Sequence, residues 1–176
     1  MGATIASRMP PPDPALDALR DAIRRRGQED TAHREQRFRA LAREWEAAAR
    51  QLASDIGALV ESVPELKLAF EDERETFTSP AFPGRSLEIR HQRVRITRGD
   101  DFLVFDPSAG ALASAMGQVR LSFSRPVPFL MERALYLVRG GPDGPWWGYR
   151  SSEDPRPFAV PLTPSVLVRM LHAVFA

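Results

Sequence analysis

The chain has 176 residues, of which 43% are apolar, with a formal net charge of +1 and no cysteine. This length suits one domain with one core, or a small domain that carries an arm. The lack of cysteine excludes disulfides, thiolate catalysis and cysteine metal sites. Proteins that bind mainly through phosphate contacts usually carry a clear basic excess, and this chain is nearly neutral.

Arginine outnumbers lysine by 23 to one, and asparagine is absent. Because A-rich codons encode lysine and asparagine, we interpret this bias as the product of a high-GC bacterial genome. Arginine is then the default surface cation, so the number of arginines argues little for nucleic-acid binding.

Residues 1–14 contain the sequence MPPPDP, which disfavours a helix and predicts a disordered, polyproline-like lead-in outside the core. They lack a continuous apolar h-region. No apolar run of the chain approaches the roughly 18 residues of a membrane span. We therefore expect a cytoplasmic protein with no membrane partner.

Residues 15–63 are predicted to form a helical arm that starts at Asp13-Pro14, with aspartate as N-cap and proline at the first helical position. Gly27 predicts a break, a kink or a weak spot, because glycine costs about 1 kcal/mol relative to alanine in a helix interior. Thr31 is then a candidate cap of a second helix. A short apolar stripe precedes the predicted break: Leu16, Leu19 and Ile23.

A longer apolar stripe follows from Phe38, with spacings of three and four that are typical of an amphipathic helix. Pro64 predicts its end. At 1.5 Å per residue, about 32 residues make a helix of roughly 48 Å, longer than a compact domain of this size. We therefore expect part of the stripe to project or to meet a partner, which could be the 16–23 stripe folded back, a second copy of the chain or another protein. The alternative is that the stripe packs on the chain's own sheet. Its members are Phe38, Leu41, Trp45, Ala48, Leu52, Ile56, Leu59 and Val63.

Residues 65–176 are predicted to form an α+β domain with about six mostly antiparallel strands. A polar, proline-rich loop is predicted at 72–84 and a turn at 106–110. The strand patterns are ELKLAF (65–70), SLEI and RVRIT (86–97), FLVF (102–105), GQVRLSFSR (117–125), RALYLVR (133–139), WWGYR (146–150) and a short edge strand FAVPL (158–162).

The pattern of residues 86–97 contains a conflict. Leu87 and Ile89 have odd numbers, whereas Val94 and Ile96 have even ones. Since alternate side chains of a strand face opposite ways, both pairs can face the core only with a bulge or turn between them, which we expect at residues 91–92.

The last segment predicts a helix. Thr163 is a good N-cap, and Pro164 suits the first helical position. One apolar face should pack on the sheet: Val166, Leu167, Met170, Leu171, Val174 and Phe175. The predicted class is α+β, with a long N-terminal amphipathic helix, the sheet, and a C-terminal helix packed on it.

Motifs for chemistry are missing from the sequence. There is no glycine-rich phosphate loop, no dinucleotide fingerprint and no G-x-S-x-G elbow. His33, His91 and His172 form no metal-ligand pattern. The sequence therefore predicts no catalytic residue, no metal and no cofactor, and we expect a protein that is not an enzyme.

Arginines on the predicted sheet form a candidate polyanion surface. Arg93 and Arg95 should point outward, with Arg98 at a turn and Arg120 beside them if their strands are neighbours. Trp146 and Trp147 should face opposite ways, so that one is available to stack a base or lies under the helical arm. Against a phosphate partner stands an acidic run that is able to pair with the arginines across the sheet: Glu71, Asp72, Glu73 and Glu75.

The leading hypothesis is a non-enzymatic assembly or adaptor module. It would self-associate, with a coiled-coil-like dimer favoured, or bind a partner protein through the N-terminal helix. The alternatives are a nucleic-acid-binding protein that uses the arginine face, and a small enzyme with an unrecognised site. The expected interface anchors are Phe38, Leu41, Trp45, Leu52 and Ile56.

Overall fold

The computed structural model describes residues 14–109, 117–138, 144–154 and 159–176. These residues form an antiparallel sheet in the order of the chain, with a helix before it and another after it. The predicted α+β class is confirmed, with seven strands rather than about six. The elements are α1 (Pro14–Glu61), β1 (Lys67–Thr78), β2 (Ser86–Arg98), β3 (Asp101–Ser108), β4 (Gln118–Phe123), β5 (Leu130–Val138), β6 (Trp146–Ser151), β7 (Val160–Pro161) and α2 (Pro164–Phe175).

Internal contacts divide the chain into two compact units, Met1–Arg37 and Phe38–Ala176. In the first unit, the described residues are 14–37 of α1, called the N-terminal segment below. The second unit contains the rest of α1, the whole sheet and α2. The predicted cap Asp13 and the rest of the lead-in before Pro14 lie outside the described residues. Pro14, the last residue of the predicted lead-in, is the first residue of α1.

The predicted break at Gly27 is wrong, because α1 is helical without interruption from Pro14 to Glu61. The residues around Gly27 are arginine, glutamine and glutamate, which are good helix formers and offset the cost of one glycine. Thr31 is not a cap: its hydroxyl donates a 2.8 Å hydrogen bond to the carbonyl of Gly27, one turn earlier in the same helix.

One face of the sheet is covered by the second half of α1 and by α2, and we call it the helix face. Near the middle of the sheet, Leu52 and Ile56 of α1 and Met170 of α2 pack in one buried cluster. Strand side chains at alternate positions complete it: Val94, Ile96, Leu103, Phe105, Val119, Leu121 and Leu135. Alternation in β4 is as the sequence predicts.

A second buried cluster joins the earlier turns of α1 to the hairpin of β1 and β2. Phe38 and Trp45 pack here with Phe77, Ile89 and Leu137. The ring of Phe38 lies 5.5 Å from that of Phe77, measured between centroids.

The hairpin of β1 and β2 buries both the odd-numbered Ile89 and the even-numbered Val94 without a bulge. Its register is unbroken from Lys67 opposite Thr97 to Thr78 opposite Ser86, so the bulge expected at residues 91–92 is wrong. β3 pairs with β2 only from Val94 onward, which leaves residues 86–93 paired with β1 alone. Two-stranded ribbons, such as the one that residues 86–93 form with β1, twist more strongly than wide sheets. The buried positions of β2 therefore pass from odd to even numbers along the strand, from Ile89 and His91 to Val94 and Ile96.

Two strands are longer than predicted. β1 continues to Thr78, so the loop predicted at 72–84 is wrong over residues 72–78. Its polar side chains pair across the ribbon instead, as Gln92 does when it donates a 3.0 Å hydrogen bond to Asp72. β3 continues to Ser108, so the turn predicted at 106–110 is wrong over its first three residues.

The C-terminal helix is as predicted. The hydroxyl of Thr163 accepts a hydrogen bond from the amide of Val166, which caps the helix, and Pro164 occupies its first turn. Leu167, Met170 and Val174 are buried against the sheet.

Candidate interaction surfaces

Four of the five predicted anchors lie in the chain's own core. Phe38, Trp45, Leu52 and Ile56 have relative exposures of 0–4%. Leu41 is half-buried against the cluster that contains Phe38 and Trp45. Side chains in this position offer a partner no surface while the sheet is folded. An interface role for them would require this part of α1 to leave the sheet.

Three alanines widen the buried face of α1 beyond the predicted stripe: Ala42, Ala49 and Ala53. A wide apolar face is typical of a helix packed on a core, whereas a narrow stripe is typical of a coiled coil. The regular spacing of these small residues between the large ones was the available signal for a core helix.

Exposed apolar side chains are found in the N-terminal segment. Leu16, Leu19 and Ile23 are 46%, 56% and 65% exposed, and we call them the exposed stripe. Their spacing of three and four places them on one side of the helix. All the side chains described from residue 15 to residue 34 are exposed.

The N-terminal segment carries charges of both signs. Six arginines and five carboxylates occur between residues 14 and 37, so the segment is nearly neutral. Asp17 and Arg20 form an exposed ion pair of 3.3 Å one turn apart. Such a pair contributes well under 1 kcal/mol.

Two of the predicted polyanion-binding arginines are paired with carboxylates of the same chain. Arg93 lies 3.5 Å from Glu71 and 3.9 Å from Glu73 on β1. Carboxylates of the acidic run therefore pair with this arginine across the sheet. Arg120 on β4 lies 3.0 Å from Asp106 on β3. A phosphate would have to compete with these carboxylates for both guanidinium groups.

The other two arginines lie in different surroundings. The guanidinium carbon of Arg95 is 5.6 Å from the ring centroid of Phe102. Arg98 donates a 2.5 Å hydrogen bond to the carbonyl of Phe175, at the end of α2. Arg98 thus reaches towards a helix, and the predicted arginines do not form one patch.

The two neighbouring tryptophans face opposite sides of the sheet, as predicted. Trp147 lies under α1, and its indole nitrogen donates a 3.1 Å hydrogen bond to the carbonyl of Ala48. Trp146, the preceding residue of β6, is half-buried on the other face. Its ring passes over Gly148, where a β-carbon would approach it to 2.6 Å.

A polar cluster lies on β5 and β6. Tyr136 donates a short hydrogen bond to Glu132, which also pairs with Arg150 at 2.7 Å. Burial raises the pKa of Tyr136 to about 12, and the hydrogen bond to the Glu132 carboxylate and its negative charge add to the rise. The phenol therefore stays protonated and acts as a donor.

His91 is the buried ionisable side chain closest to a catalytic arrangement. Its Nε2 lies 3.6 Å from a carboxylate oxygen of Glu75, while its Nδ1 has no hydrogen-bond partner. Glu75 accepts hydrogen bonds from the hydroxyl of Ser108 and the amide of Ala109. Because Ser108 donates to the carboxylate and not to the imidazole, no nucleophile–base pair forms here. We interpret this group as structural.

Within the described ranges, no three histidine, aspartate or glutamate side chains come together as metal ligands. Neither α1 nor α2 combines the length and the apolar character that a membrane-spanning helix requires.

Comparison of the chain with protein-family models, with curated proteins and with solved structures finds no significant match.

Proposed function

We propose that the protein is a non-enzymatic assembly module that self-associates through the N-terminal segment of α1. The observation that supports this proposal is the exposed stripe, which places three large apolar side chains on one side of the helix. The side chains around them in the N-terminal segment are exposed as well. The proposed interface is therefore residues 14–37 and not residues 38–56, because the apolar side chains of residues 38–56 pack in the core.

A helix whose apolar face is uncovered lacks its main source of stability. Isolated helices are marginal in water, and most helical stability in proteins comes from packing of an apolar face. Full burial of a leucine or isoleucine side chain contributes about 1.5–3 kcal/mol relative to exposure. Covering the exposed stripe would therefore stabilise the segment as well as the assembly.

A second copy of the chain is the occupant that the charges favour. The near balance of six arginines and five carboxylates lets one N-terminal segment approach another without strong repulsion. In a dimer with two-fold symmetry, both copies use the same surface, so the exposed stripe of one copy packs against the exposed stripe of the other. We therefore expect a dimer in which two exposed stripes pack together.

Site-directed crosslinking tests the contact directly, since the chain has no cysteine of its own. Leu19→Cys places a thiol at the centre of the exposed stripe, and Asp21→Cys places one on the opposite side of the same helix. Under mild oxidation we expect a disulfide dimer from Leu19→Cys and much less from Asp21→Cys. Equal yields from the two variants would count against the proposed contact, and so would the absence of any dimer.

The nucleic-acid alternative makes a different prediction. A polyanion surface built on Arg93 and Arg120 would give retention on heparin that weakens steeply with salt. Because both guanidinium groups already pair with carboxylates, we expect little retention at low salt. Strong retention that Arg93→Gln and Arg120→Gln together abolish would favour the alternative.

A further inference from the structure

An apolar groove of about 510 Å³ opens between the end of α1 and the last turns of α2. It lies wholly within the unit from Phe38 onward, so it does not depend on association through the N-terminal segment. Its volume is in the range of about 300–1,000 Å³ that is usual for small-molecule sites. The large apolar side chains that line it are Leu59, Val63, Leu66, Val168, Leu171 and Phe175.

The groove leaves large apolar side chains in contact with water. Val63 is 36% exposed and Val168 is 49% exposed, one on each wall. An aliphatic chain laid between the two walls would remove both side chains from water, with a favourable free energy proportional to the apolar area covered.

Arg98 lines the same groove. A guanidinium group carries five N–H donors, and Arg98 uses one of them, towards the carbonyl of Phe175. Among the described residues, Arg98 has no carboxylate partner. Arg93, Arg120 and Arg150, in contrast, are each paired with a carboxylate.

Two other ionisable side chains line the groove, Glu65 and His172. The groove thus offers an apolar surface with an arginine whose remaining donors suit the planar, two-oxygen geometry of a carboxylate.

We propose that this groove binds a medium-chain fatty acid, with the aliphatic chain between α1 and α2 and the carboxylate on Arg98. The aliphatic chain contributes most of the binding free energy through burial, and the carboxylate fixes the orientation through charge-assisted hydrogen bonds. Arg98 keeps its bond to Phe175, since its other N–H groups suffice for the ligand.

Calorimetric titration of the full chain tests the proposal with three probes of equal chain length: decanoate, decanol and decyltrimethylammonium. We expect decanoate to bind most tightly. Arg98→Gln should weaken decanoate roughly tenfold or more, as expected for loss of a hydrogen bond between charged groups, and should leave decanol almost unchanged. Arg74→Gln is the matched control, since Arg74 is an exposed arginine that pairs with Glu88 in the ribbon.

Arg98→Gln also removes the bond to Phe175, so a second variant separates ligand binding from the docking of α2. Val168→Asp places a negative charge on an exposed position of the groove and should abolish decanoate binding in a folded protein. The proposal is overturned if decanoate fails to bind at millimolar concentration. Binding that is unaffected by Val168→Asp, or decyltrimethylammonium binding as tight as that of decanoate, would overturn it equally.

Discussion

Gly117 leaves the space that the indole of Trp45 fills: a β-carbon at Gly117 would lie 1.9 Å from Nε1 of Trp45. Trp45 is fully buried, and its ring meets that of His91 edge-on at 5.5 Å between centroids. Gly117, the residue before β4, therefore packs closely against Trp45 of α1, with no room for a larger side chain. This contact helps to explain why residues from Phe38 onward lie against the sheet.

Gly117→Ala should destabilise the protein by about 1–3 kcal/mol, because the added methyl group overlaps the indole and forces the helix or the strand to move. Chemical denaturation followed by tryptophan fluorescence measures the loss. Gly27→Ala is the control: nothing lies within 4 Å of its β-carbon position, and alanine is favoured in a helix. A midpoint of denaturation for Gly117→Ala equal to that of the wild type would contradict the close contact with Trp45.

The two parts of α1 should respond differently to the loss of an apolar side chain. Ile56→Ala removes a buried side chain from the core and should reduce the free energy of unfolding by about 2–5 kcal/mol. Leu19→Ala removes an exposed one and should change that free energy by no more than about 0.5 kcal/mol in dilute solution. A large loss of stability from Leu19→Ala at high dilution would contradict the assignment of Leu19 to an uncovered surface.

Tyr136 should titrate late. Its pKa in the folded protein is raised to about 12, above the ordinary value of 10.0, so the folded state holds the phenolic proton more tightly than the unfolded state does. Its contribution to stability is fully present below pH 10 and is lost as the pH rises towards about 12. Phenolate absorbance in a Tyr149→Phe background isolates Tyr136, and Glu132→Gln should shift its titration to lower pH. A midpoint near 10 in the folded protein would contradict the burial and the bond to Glu132.

The dimer proposed above should be antiparallel. Arg26 follows the exposed stripe at the next position of the same spacing, so a parallel pair would bring Arg26 of both copies together. An antiparallel pair instead places Leu16 of one copy beside Ile23 of the other. Mixed Leu16→Cys and Ile23→Cys chains should therefore form heterodisulfides in preference to either homodisulfide. Preferred homodisulfides at both positions would indicate a parallel pair.

Local sequence signals predicted much of the fold. Thr163-Pro164 marked the start of α2, and alternation over residues 119–123 marked β4 with its buried and exposed faces. These features depend on the backbone and side chains of a few neighbouring residues, which a sequence displays directly.

Features that depend on distant partners were not predictable in the same way. The periodicity of residues 38–60 shows that one face of the helix is buried, but it does not show whether a sheet or a second helix covers it. Trp45 and Ile56 were therefore expected at an interface and lie in the core. The strand over residues 72–78 was not predictable because its first five residues are all polar, a pattern that resembles a loop, and only Phe77 is buried.

Light scattering after size-exclusion chromatography, over a range of loading concentrations, tests the central claim most directly. The wild-type chain should approach twice the mass of one chain as the concentration rises. The triple variant Leu16→Gln, Leu19→Gln, Ile23→Gln should remain at the mass of one chain with its sheet intact by circular dichroism. A wild-type mass of one chain at every concentration, or a variant that associates as the wild type does, would contradict self-association through the N-terminal segment.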